Sequence, residues 1–142
     1  MNLPIYKIKE VKLDSLKKES QLDKWYFTMI QKSVDELSLL DISRMLRQNI
    51  YLDIAIPPTW KKLLENPFCG ELYDGQLLEL LVRVVQQDPE IKRTNFFEQY
   101  KADIAKKIND HEWNNDEEKE EYISLVKQLE KILSERYIKK VH

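Results

Sequence analysis

The sequence has little of what builds a catalytic centre, a covalent staple or a sheet. Cys69 is the one cysteine. No internal disulfide can form, a secreted disulfide scaffold is excluded, and a reducing, cytoplasmic location is expected. The two histidines, His111 and His142, have no partner at metal-ligand or acid–base spacing, so no metal and no cofactor are expected. Gly70 and Gly75 are the only glycines; they match neither a P-loop nor a dinucleotide fingerprint. The longest apolar run, residues 77–85, is interrupted by Glu79 and Arg83. It is too short to cross a bilayer, and the N-terminal segment has no apolar core of a secretion signal. Asn-Gly and Gly-Gly turns are absent and no apolar alternation persists, so strands are not expected.

What remains is a chain of 142 residues with a formal net charge of -2. That length suits one domain with a real core. Both signs of charge are mixed, which argues against a general nucleic-acid binder. The distribution is uneven, however. Lys7, Lys9, Lys12, Lys17 and Lys18 crowd the first 19 residues, whereas Glu112, Asp116, Glu117, Glu118, Glu120 and Glu121 face only Lys119.

Helical spacing of apolar residues organises the rest. Residues 1–19 fit neither period and read as an extended arm with a short helical turn. Leu22, Trp25, Tyr26, Met29 and Ile30 mark a helix, and Ser38 with Asp41 forms a capping box for the next, with Leu39, Ile42, Met45, Leu46 and Ile50 on its stripe. Pro57-Pro58 should break the chain after residues 51–56 and open a short helix over residues 59–65. Asp74 is placed to cap a helix over residues 76–87 that is apolar nearly all round, the mark of a central helix. Phe97, Tyr100, Ile104 and Ile108 mark another. Asn114 or Asn115 should cap the last, whose stripe is Tyr122, Leu125, Val126, Leu129, Ile132, Leu133 and Tyr137. The expectation is an all-α bundle of about six helices around residues 76–87. Within it lie a candidate arm (1–19), a core segment (37–85) and a C-terminal helical pair (94–138).

Each chemically suggestive group has a plain structural reading beside the functional one. Cys69 reads as a small buried filler and His111 as an exposed turn residue. Glu65, Glu71 and Asp74 cluster around the glycine loop and could form an acidic recess, although turn and capping roles explain them more simply. Trp113, among polar residues, reads equally as an interface anchor or as cover for a helix joint. The acidic run over residues 112–121 reads as a first helical turn answering the dipole, or as a patch that steers a basic partner.

The order of elements in the middle of the chain carries a resemblance. Leu37-Ser38, Asp41-Ile42-Ser43-Arg44, Gln48-Asn49-Ile50, Ile56-Pro57, Leu63-Leu64-Glu65-Asn66-Pro67, Gly70-Glu71-Leu72-Tyr73-Asp74-Gly75 and Leu77-Leu78 follow one another. This pattern resembles the immunity proteins of bacterial contact-dependent growth inhibition systems. It departs from them at two points. Gln76 follows Gly75 where family members often have an aspartate, and the helix after the proline begins Pro58-Thr59-Trp60 where theirs often begins with small apolar residues. The resemblance implies a cytoplasmic, non-enzymatic inhibitor. Its partner would be the toxic C-terminal domain of a delivery protein, often a nuclease, with no small-molecule substrate and no membrane involved. The acidic patch could then stand in for a phosphate backbone. The expected toxin-binding residues are Glu112, Trp113, Asp116, Glu117, Glu120 and Glu121, with Glu71 and Asp74 second. Two rival readings remain: a helical regulator binding nucleic acid through the Lys-rich arm, and an enzyme built on Glu65, Glu71 and Asp74.

Overall fold

A serine starts three turns in the first half of this protein, and a carboxylate three residues on completes each of the three. In the computed structural model, which describes residues 2–139 and the side chains of residues 2–136, capping boxes form at Ser20/Asp23, Ser33/Glu36 and Ser38/Asp41. His142 and the side chain of Tyr137 lie outside the described residues. The Ser20 and Ser38 boxes each satisfy two backbone amides at the helix start, and at Ser33 the Glu36 carboxylate accepts from both the Ser33 amide and its hydroxyl. The resulting elements are α1 (Ile5–Ile8), α2 (Gln21–Met29), α3 (Leu39–Gln48), α4 (Leu52–Glu65), α5 (Gln76–Gln87), α6 (Asn95–Asp110) and α7 (Asp116–Lys139), with 3-10 turns at Leu13–Ser15 and Val34–Glu36. The protein is an all-α bundle. Its one extended pairing among the described residues is an isolated bridge between Pro4 and Ser33.

Helix α5 is the centre. Leu77, Leu78, Leu80, Leu81, Val82, Val84 and Val85 are all buried, because α3, α4 and α7 pack against it. Full burial of a Leu or Val side chain contributes roughly 1.5–3 kcal/mol, so this helix alone supplies much of the core. Helices α5 and α7 run in the same direction. Gly75 lies against Tyr122 at their starts, and the Arg136 guanidinium donates to the Val85 and Ile91 carbonyls at 2.6 and 2.7 Å near their far ends. Phe97, Tyr100, Ile104 and Ile108 are buried on α6, which packs on α4. The N-terminal segment is tied to the end of α2: the Ile5 and Tyr6 amides donate to the Lys32 and Ile30 carbonyls, and Ile5 is fully buried.

Two expectations of the local structure fail. Residues 51–56 do not break the chain. Helix α4 starts at Leu52 and runs through Pro57 and Pro58. Two interior prolines cannot donate to the Asp53 and Ile54 carbonyls, a penalty of about 3 kcal/mol each in an isolated helix. Burial of Ile54, Ala55, Pro58, Trp60 and Leu63 offsets it, and the Thr59 hydroxyl donates to the Ala55 carbonyl at 2.7 Å. The helix is bounded ahead by Asn49 and Tyr51, both left-handed, with φ of 55° and 45°. Nor does Asp74 cap α5. The N-cap is Gly75, at φ 85°, with no side-chain cap.

Candidate functional site

The loop between α4 and α5 is built by close approach. A Cβ on Gly70 would sit 2.0 Å from the Tyr73 carbonyl oxygen, and one on Gly75 would meet the Tyr122 ring at 3.2 Å. Backbone bonds then stitch the loop shut: Gly75 N–H to the Phe68 carbonyl at 2.8 Å and Leu77 N–H to the Cys69 carbonyl at 3.2 Å. The buried Gln76 side chain accepts from the Leu72 amide at 2.8 Å. The outcome is a fixed turn that holds Leu72 and Tyr73 out in solvent, 71% and 50% exposed.

An aromatic cluster joins this loop to the turn before α7. His111 stacks on Phe68 with ring centroids 4.1 Å apart. The Trp113 ring packs edge-on against Phe68 and His111, at 5.2 and 4.5 Å, and its indole N–H donates to the Ile108 carbonyl at 2.9 Å. Trp113 thus covers the joint between α6 and α7. Tyr122 donates to the Pro67 carbonyl and shares a 2.7 Å bond with the Tyr100 hydroxyl. Burial raises both phenols well above their ordinary range, so they act as neutral structural bridges. His111 is not the exposed residue its polar neighbours suggest: stacking half-buries it, with Nε2 3.6 Å from Asp74 Oδ2.

Between loop and helix lies a recess of about 440 Å³. Leu72, Tyr73, Asp74 and Glu79 form one wall; Trp113, Asn114, Glu118 and Glu121 form the other. Of the residues named from the sequence, Asp74, Trp113 and Glu121 come together here. Glu112, Asp116, Glu117 and Glu120 are exposed around the same end of the molecule but do not line the recess. Glu71 is drawn away to Arg47, 3.0 Å from its guanidinium. Leu72, Tyr73 and Glu79 are additions the sequence reading missed, and Glu118 lay within its acidic run but outside the expected binding residues. Helical spacing could have found Glu118, one turn before Glu121; nothing local shows that Glu79 accepts from the Tyr73 hydroxyl at 2.6 Å. That bond, more than burial, pushes the Tyr73 phenol up to about 12.

Other chemically suggestive groups are occupied elsewhere. Glu65 lines a separate groove with Pro58, Lys61 and Lys62, so Glu65, Glu71 and Asp74 do not converge as a catalytic group would. Burial raises the Cys69 thiol, which keeps it from the thiolate form a nucleophile needs. Among the described residues, no group of His, Cys, Asp and Glu could hold a metal ion, and no helix is long and apolar enough to cross a membrane. In the Lys-rich arm, Lys9 pairs with Asp53 at 2.7 Å and Lys18 lies over the Phe27 ring.

Comparison with known proteins adds one finding. A family model described as CDI immunity proteins matches residues 7–101, more than half of the chain. The match takes in the loop wall of the recess and stops before Trp113 and α7. No curated protein matches the chain, and no solved structure matches it.

Proposed function

The chain belongs to the CDI immunity proteins, and from that premise we propose that it binds a cognate toxin domain and neutralises it by covering its active site or substrate surface. It performs no chemistry of its own in this reading. The observation that carries it is the convergence at one end of the bundle. A fixed, solvent-presented loop and the acidic start of α7, far apart in sequence, form one concave surface. A surface of that kind suits recognition by shape and charge. A stable complex would bury on the order of 1,600 Å² in total, more than the recess alone, so the exposed Glu112, Asp116, Glu117 and Glu120 around it fall naturally within such an interface.

The direct experiment uses the C-terminal domain of the large secreted protein expected to be encoded beside this chain. Mixed with that domain, the purified protein should co-elute with it and abolish its toxic activity in a purified assay. Separate elution with full toxin activity would refute the reading.

A further inference from the structure

Leu72 and Tyr73 are the most informative residues left over from the fold. Six large apolar side chains are exposed among the described residues: Leu3, Ile8, Leu22, Leu40, Leu72 and Tyr73. Scattered single cases need no explanation. Leu72 and Tyr73 differ because they are adjacent, because Leu72 is the most exposed of the six, and because they form the lip of a recess. Their presentation is also enforced. Gly70, Gly75, the Gln76 side chain and the Glu79 carboxylate fix the turn from four directions, so little conformational entropy remains to be lost on binding.

The charged residues that line the recess behind that lip are all acidic, while Arg47, paired with Glu71, lies near the Tyr73 phenol outside the lining. Asp74, Glu79, Glu118 and Glu121 line the recess, and no Lys or Arg does among the described residues. The Asp74 carboxylate has the His111 ring nitrogen nearby, at 3.6 Å, and Glu118 accepts from the Asn114 amide at 3.4 Å; neither contact is with a fixed cation. A phosphate-bearing ligand would be repelled. An alkyl stem ending in a cation fits: its methylenes can lie along Leu72 and the Tyr73 and Trp113 rings while its head reaches the carboxylates.

We infer that Leu72 and Tyr73 anchor a basic segment of a protein partner, which inserts one Arg or Lys side chain between Glu79, Glu118 and Glu121. This rests on the immunity reading and gives its partner a chemistry: the toxin's contacting surface carries a cation beside an apolar side chain. Apolar anchor and acidic slot have separate kinetic signatures. The anchor and the buried ion contacts set how long the complex lasts, whereas exposed charge outside the recess sets how fast it forms.

The test measures association and dissociation rates of the toxin domain with four forms of the full chain. These are the wild type, Leu72→Ala, the triple change Glu79→Gln with Glu118→Gln and Glu121→Gln, and a control, Glu90→Gln with Glu135→Gln, at the far end of α5 and α7. Leu72→Ala should speed dissociation about tenfold and leave association nearly unchanged. The triple change should speed dissociation by at least about tenfold. The control should match the wild type. Leu72 is almost free of the fold, so its truncation keeps the test valid even if the triple variant is unstable. Wild-type dissociation from both recess variants would overturn this inference and leave the immunity reading intact. Failure of the wild type itself to bind the toxin domain would instead strike at the immunity reading.

Discussion

At the scale of single residues, the molecule rests on a few polar groups that cannot be exchanged. Asp41 is the clearest. It is buried, yet it accepts from the Trp25 indole at 2.9 Å, the Lys32 ammonium at 2.7 Å and the Ser38 amide at 3.0 Å. Burial alone would push its carboxyl up; the Lys32, Ser38 and Trp25 bonds outweigh that and hold it below the usual carboxylate range. A depressed folded-state value means stability that is present above the unfolded value of about 3.9 and lost as pH falls through the folded one. Asp41→Asn should therefore cost about 2–3 kcal/mol at neutral pH, with a gap to wild type that narrows below about pH 4. Urea unfolding across that range checks it; a gap that stays constant into acid would contradict it. Gly75 gives a second case. At φ 85° with the Tyr122 ring 3.2 Å from any added Cβ, Gly75→Ala should destabilise by about 1–2 kcal/mol in thermal melts.

At the scale of elements, periodicity and capping chemistry were legible and tertiary compensation was not. The span of α5 follows from its apolar run and Gly75, and the Ser38/Asp41 box from a spacing of three. The stripe on α6 is buried as its spacing implies. The last helix starts where Asn115 suggests, the Asn115 side chain accepting from the Glu118 amide at 2.9 Å. The reading of α4 failed because proline's local preference is strong, while the packing that overrides it involves residues of α3, α5 and α6 that no local window contains. Leu22, placed on an apolar stripe, is 42% exposed at the first turn of α2, because spacing alone does not say which part of a stripe is covered. Half of the recess was equally hidden, because residues 72–79 and 113–121 are brought together by tertiary packing, through the aromatic cluster and the pairing of α5 with α7. The α4 account makes its own prediction. Pro57 is exposed, so Pro57→Ala should restore a donor to the Asp53 carbonyl. The helix-propensity gain of up to about 3 kcal/mol exceeds the roughly 0.4–1 kcal/mol lost by freeing the unfolded chain. A net stabilisation of about 1–2 kcal/mol in denaturant melts is expected; a destabilised variant would mean that the proline ring itself is needed for packing.

At the scale of the whole molecule, carboxylates gather where the recess opens, with Asp74, Glu79, Glu118 and Glu121 on its lining. The starts of α5 and α7 lie together at the acidic end, where carboxylates also answer the two helix dipoles. The exposed carboxylates outside the recess act over distance. Reversing Glu117 and Glu120 to Lys should slow association with the toxin domain about tenfold at low salt and flatten its salt dependence. Stopped-flow rates that are unchanged in this double variant would move the binding surface elsewhere. The Lys-rich N-terminal segment is partly engaged by Asp53 and Phe27, which leaves fewer free cations for a nucleic acid than its composition suggests. The most direct measurement of the central claim is growth of cells that produce the cognate toxin domain, with and without this protein. The account predicts that growth stops without it and is restored when it is supplied. Cells that die equally in its presence, or that grow equally well in its absence, would contradict it.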